Sequence, residues 1–195
     1  MTQGLLALDL ASKTGWCASA PGRRLAYGLL RLPKTGDDIG WFLEEYQRWL
    51  EKACEEWPLD WIIFEEPLKP HGKVNPKNPR QVTQNTNITT LRKLYGLTAA
   101  TELVARQRGI AYREVHLSTW RKSFLGVGSG RKSEEFKRMA IQMCQQIGLE
   151  DVTNDNTAEA IGLHWHAADA LGIDTGLPKQ LPALGGLFAG EGAAA

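Results

Sequence analysis

The apolar run Leu5 to Leu10 carries an aspartate, Asp9, near its end, and that one charge restricts what the chain can become. The run is short and bounded by polar turn residues, which makes it a buried strand rather than a helix. Aspartate is depleted from strands and almost never fully buried unless something pairs with it. Asp9 is therefore either a satisfied structural acid or part of a site that holds a cation.

The segments that follow predict an alternation of strands and helices. "GLLALDLA" and "GWCASA" flank the polar turn "SKTG" and read as a hairpin, with "RRLAYGLLRL" as a third strand. After the cap signal "PKTGDD", Phe42, Leu43, Tyr46, Trp49, Leu50 and Ala53 recur at helical spacing up to Pro58. "LDWIIFEEP" predicts a buried strand ending in two carboxylates, Glu65 and Glu66. Residues 67–86 are rich in Pro, Asn and Lys without periodicity and predict a long mobile loop. Then come a helix ending at Gly109, a strand "IAYREVHL", a connector "STWRKSFLGVGSGRK", a helix from a Ser133 cap to Gly148, and a last helix opening at "NDNTAEAIGL". The order predicts an α/β sheet with an antiparallel hairpin side, covered by helices.

With 195 residues and 43% hydrophobic content, one domain with a sizeable core is expected over residues 1–173. The Gly-, Ala- and Pro-rich segment 174–195 is expected as a flexible tail whose Leu and Phe residues dock on the body or a partner. Cys17, Cys54 and Cys144 lie far apart with no ligand spacing and read as free thiols of a reducing compartment. No signal-peptide pattern and no long apolar run occurs, so a soluble, cytoplasmic protein without membrane contact is expected. The net charge of +1 is uninformative, but its distribution is not. Lys69, Lys73, Lys77 and Arg80 occur without an intervening acid, and six basic residues between Arg121 and Arg138 face only Glu134 and Glu135.

Acids stand at the ends of apolar elements in three places: Asp9, Glu65 or Glu66, and Asp155 with Glu159. Carboxylates gathered together raise one another's pKa unless a cation neutralises them. Mg²⁺ takes oxygen ligands, and pairs of such ions support in-line displacement at phosphorus. Asp155 and Glu159 share a helix face, as nearly do Asn156 and Glu159, although "NTAE" is also a good capping box. His166 and Asp169 form a rival ligand pair, but about 10 Å of helix separates Glu159 from His166, so both cannot bind one ion. His164 and His166 are expected as packing or surface residues.

Four blocks, "LALDLASKTGW", "WIIFEEP", "STWRKSFLGVGSGRKSEEFKRM" and "DNTAEAIGL", resemble in order the RuvC-type Holliday-junction resolvases of the RNase H-like superfamily, especially phage-borne members. The resemblance spans residues 5 to about 170. It implies a mixed five-stranded sheet flanked by helices and a homodimer. It also implies paired symmetric nicking of four-way junctions and other branched DNA, with Mg²⁺ or Mn²⁺, two ions per site, in a bacterial cell or phage-infected host. Residue by residue, Asp9, Glu65 and Glu159 match the family's acids. The remaining acid position falls on Asn156, with Asp155 one residue earlier; an anionic ligand favours Asp155. Arg121 and Lys132 match the basic positions around Gly126 and Gly128 and suit the scissile phosphate, with Arg131 beside them. Where the family places a junction-wedging aromatic this chain has Leu68, followed by the basic loop whose Lys69, Lys73, Lys77 and Arg80 suit backbone phosphates. The helix from Ile88 has apolar and small residues on more than one face, as a dimer contact requires. Two rivals remain: a branched-DNA-binding protein without cleavage, motivated by the displaced aspartate, and an actin-like ATPase fold, which needs a second phosphate hairpin that is not evident.

Overall fold

The computed structural model describes residues 3–34, 38–67, 72–75, 78–84 and 87–182. Strands β1 (Leu5–Asp9), β2 (Lys13–Ser19) and β3 (Ala26–Arg31) form an antiparallel meander, and β1 pairs in parallel with β4 (Trp61–Glu65). The elements that follow are β5 (Gly72–Asn75), β6 (Asn78–Gln84) and β7 (Ala111–Val115), the last pairing in parallel with β4. The main sheet is thus mixed and five-stranded, in the order β3-β2-β1-β4-β7, with β1 and β4 central.

Alternation along the central strands assigns the two faces. Leu5, Ala7, Cys17 and Ile63 point to one side, where they pack against α3 (Leu117–Leu125), α4 (Ser133–Gln146) and α5 (Asp155–Leu171) through Trp120, Phe124, Phe136, Met143 and Ile161. Leu6, Leu8, Ala18, Ile62 and Phe64 point to the other, against α1 (Ile39–Glu56) and α2 (Ile88–Arg108) through Phe42, Tyr46, Leu50, Leu97 and Val104. Buried polar groups are mostly paired, as burial demands. Tyr46 shares a hydrogen bond with Thr101 at 2.6 Å, and His164 meets the Ser19 hydroxyl at 3.0 Å. Burial pushes the His164 imidazole down to about 3, so this ring is a neutral packing group.

Three local expectations change. The connector 118–132 holds α3, because Leu117, Trp120 and Phe124 form an apolar stripe. The His116 ring accepts from the Ser118 N–H at 3.3 Å at one end, and Gly126 closes the other with φ 76°. Helix α4 is capped at Lys132 rather than Ser133: the Glu135 carboxylate accepts from the Lys132 N–H at 2.8 Å. In the expected loop 67–86, β5 and β6 pair as an antiparallel hairpin, satisfying backbone groups that a Pro- and Asn-rich sequence gave little reason to expect in a ladder. Leu68, Lys69 and Lys77 lie outside the described residues, while the backbones of Lys73 and Arg80 belong to this hairpin. Past α5, Leu177 and Leu181 pack on the core, and the Trp165 indole donates to the Pro178 carbonyl at 2.8 Å. Segment 183–195 lies outside the described residues. Cys17, Cys54 and Cys144 are free. Among the described residues no helix is long and apolar enough to cross a membrane.

Candidate active site

Parallel pairing of β1 with β4 sets Leu8 opposite Phe64, so the next residues, Asp9 and Glu65, end the two central strands side by side. Asp9 is in phase with Leu5 and Ala7, and Glu65 with Ile63, so both belong to the face covered by α5. Glu66, one residue on, is out of phase; its N–H instead continues the pairing to the Val115 carbonyl at 3.0 Å. Period two therefore separates two adjacent glutamates that look alike in the sequence.

Helix α5 brings the third acid. Its cap is Asn154, whose side chain accepts from the Thr157 N–H at 3.2 Å, so the expected capping box at Asn156 does not form. Asn156 and Glu159 are both inside the helix. The Asn156 amide donates to the Lys13 carbonyl at 2.8 Å, tying the helix start to the β1–β2 hairpin. Gly15 makes that approach possible, because a Cβ there would meet the Asn156 carbonyl oxygen.

The electrostatics record the convergence. Burial raises the Asp9 pKa well above its ordinary value, and the charges of Glu159, Glu65 and Asp155 raise it further; only the Arg121 charge opposes them. Glu65 is raised to about 7 by burial, with the Glu159 charge adding to the effect and the Trp120 indole, which donates to Glu65 Oε2 at 3.0 Å, partly offsetting it. Glu159 is raised by burial against its ion pair with Arg121 at 2.6 Å. Burial alone would raise Asp155 as well, but a hydrogen-bonded ion pair with Lys137 at 2.9 Å outweighs it and holds the carboxyl below its ordinary range.

The basic residues take up different places. Arg121, expected at a phosphate, is buried beneath the site, stacked between Trp120 and Phe136 and committed to Glu159. Lys132 and Arg131 are exposed on the α3–α4 connection. His166 and Asp169 do not join the acids; the His166 ring meets the Ser123 hydroxyl at 2.7 Å. Trp120, Lys137 and Thr98 were not singled out from the sequence. Thr98, on α2, lines a cavity of about 220 Å³ with Asp9, Glu65, Glu66 and Leu94, and its buried hydroxyl has no partner among the described residues. No sequence signal marks these three, since each acquires its role from a neighbour more than 15 positions away.

A divalent ion fits the chemistry of this donor set. The donors are carboxylates only, hard oxygens with no soft ligand among them. Among the described residues none donates a hydrogen bond to Asp9, so the repulsion of its neighbours is offset by Arg121 alone. With Glu159 turned to Arg121 and Asp155 to Lys137, no three acids among the described residues stand close enough to chelate an ion as they are placed.

A mixed five-stranded sheet with acids ending its two central strands and a helix laid across them defines an RNase H-like fold. No protein-family profile and no curated sequence matches the chain. Solved structures do, Holliday-junction resolvases among them. The RuvC of Thermus thermophilus in complex with Holliday junction substrate superposes with a TM-score of 0.62 at 11% identity, covering 89% of this chain and 97% of that one. A second T. thermophilus RuvC structure gives 0.60 at 12% identity, covering 87% and 97%. The yeast mitochondrial Holliday junction resolvase Ydc2 gives 0.51 at 13%, covering 85% and 80%. The chain has the fold of the RuvC-type resolvases.

Proposed function

We propose that this protein is a divalent-ion-dependent, structure-specific endonuclease that nicks four-way DNA junctions symmetrically as a homodimer. The observation that carries the reading is the place of Asp9, whose pKa is raised by burial and further by the charges of Glu159, Glu65 and Asp155 from distant segments, with no hydrogen-bond donor to it among the described residues. A structural acid would have acquired a hydrogen-bonding partner. Similarity in fold to a RuvC described with its junction substrate supports DNA as the ligand.

Asp9, Glu65 and Glu159 would hold the ion, which when bound neutralises the acids and makes water at the scissile phosphate more acidic. The chain's own residues do the rest. The Trp120 indole fixes the orientation of Glu65, and Arg121 holds Glu159 in place until the ligand arrives. The exposed Lys132 and Arg131, with the basic hairpin of β5 and β6, grip phosphates without reading sequence. Dimerisation falls to α2, whose exposed face carries Ile88, Tyr95 and Leu103. A twofold contact there would set two sites against the two symmetric strands of a junction.

The test is a nicking assay on a synthetic four-way junction, with linear duplex as control, in Mg²⁺, Mn²⁺ and EDTA. Paired symmetric cuts that require metal and spare the duplex are expected. Tight junction binding with no cuts in either metal would replace the nuclease by a junction-binding protein on the same fold. ATP hydrolysis without DNA would point away from both.

A further inference from the structure

Arg31, Lys13, Asp9 and Glu65 stand on four consecutive strands, β3, β2, β1 and β4, at one end of the main sheet. Register puts all four on one face. Lys13 lies directly opposite Arg31, Gly15 lies opposite Asp9, and Lys13 and Gly15 are two residues apart on β2. This end of the sheet therefore carries two acids on its central strands and two cations on the strands beside them, and the function proposed above uses neither cation.

The pair of cations does nothing for the fold. Like charges directly opposite one another on a sheet repel, and an acid at either position would have removed that cost. Both residues are exposed, and neither side chain has an ion pair or hydrogen bond among the described residues. The acid that opens α5, Asp155, is held instead by Lys137 at 2.9 Å. The backbone beneath the pair is fixed: the Lys13 carbonyl accepts from the Asn156 amide at 2.8 Å, and the Leu32 N–H donates to the Ser12 carbonyl at 3.0 Å. Two cations are thus held side by side without a counter-charge, and Lys13 extends past the level of Asp9 by two residues of strand, about 7 Å.

We propose that Lys13 and Arg31 together clamp one backbone phosphate of the DNA strand being cut, beside the scissile one, so that the strand crosses the sheet end from the acids toward β3. A phosphate is the anion that every nucleotide of the strand supplies, and contacts to it set register without reading sequence. Neither cation is among the charges that bear most on Asp9, which puts them at a neighbouring phosphate rather than at the reacting one. They are positioning residues, holding the strand in register over Asp9 and touching no reacting atom. The inference rests on the DNA-binding part of the function proposed above and adds to it the side of the acids on which the strand is held.

The experiment is binding of a labelled four-way junction to the full chain in EDTA, which separates binding from cutting. The double variant Lys13→Gln with Arg31→Gln should bind more weakly than the wild type, with the slope of log affinity against log salt reduced by about 1. A single neutral methylphosphonate linkage, scanned through the positions flanking the exchange point, should at one position weaken the wild type and leave the double variant unaffected, because that contact is already gone. Lys13→Gln alone should melt no lower than the wild type, since it relieves a like-charge pair. An unchanged salt slope, or a double variant that responds to every neutral linkage as the wild type does, would overturn the clamp and leave junction binding standing. A lower melting temperature in Lys13→Gln would assign the lysine to the fold and overturn the clamp equally. No junction binding by the wild type would remove the proposed function itself, and the clamp with it.

Discussion

At Glu65, burial and a single indole N–H pull the carboxyl in opposite directions, and burial prevails, leaving it near 7. A carboxyl raised from 4.5 in this way keeps its proton in the folded chain until the pH approaches about 7. The stability it contributes is present below about 4.5 and is lost as pH rises through about 7, by up to about 3 kcal/mol. Metal-free Glu65→Gln should therefore melt higher than the parent at pH 8 and nearly alike at pH 5, the difference isolating this group from His164 and the other titrating residues. The same variant should bind a junction normally while cleaving it more than about 100-fold more slowly, because the amide keeps the shape and loses the charge. Near-normal cleavage would transfer the role to Glu66. Trp120→Phe removes the donor that orients Glu65 and should lower single-turnover cleavage by roughly 10-fold or more without loss of junction affinity.

Among the elements, the contact of α5 with β2 decides whether the acids meet. Gly15 allows the backbone of Asn156 to close on the hairpin, and backbone cannot move aside for a new Cβ as a flexible side chain can. Gly15→Ala should cost about 3 kcal/mol or more, read as a lowered denaturation midpoint, with cleavage lost even where the protein stays folded, because Glu159 is displaced from Asp9. The elements themselves were unevenly legible. Helices α1, α2 and α5 and strands β1, β4 and β7 carry their own periodicity, caps and breakers. Helix α3 was hidden because its stripe is only nine residues long and sits in a Ser-, Lys- and Gly-rich context. The β5–β6 hairpin was hidden because Pro79 and the asparagines argue against a ladder that, in a two-stranded sheet, leaves one edge of each strand unpaired.

For the whole molecule, the exposed apolar face of α2 and the basic α3–α4 connection are the surfaces that matter. If α2 forms the twofold contact, Leu103→Glu should shift the dimer to a monomer by sedimentation and abolish paired cutting, since one site cannot nick two strands together. Lys132→Ala should weaken junction binding similarly for all sequences and reduce the slope of log affinity against log salt by about 1, as loss of a phosphate contact does.

Local sequence determined a good deal of this protein. Runs of two- and 3.6-residue periodicity, with their turns and caps, specify the order of strands and helices, and an acid at the end of an apolar strand is costly enough to announce a site. Asp9 and Glu65 were legible as candidates for that reason, whereas Glu159, inside α5, was singled out by the helix face it shares with Asp155 and by the family resemblance. What each charge faces was left to the tertiary structure: Arg121 turned inward to Glu159, Lys137 placed against Asp155, Trp120 beneath Glu65, and Asn156 committed to the hairpin. Those partners come from segments tens of residues apart, and only the packing of α3, α4 and α5 on the sheet sets the few ångströms between them on which charge interactions depend.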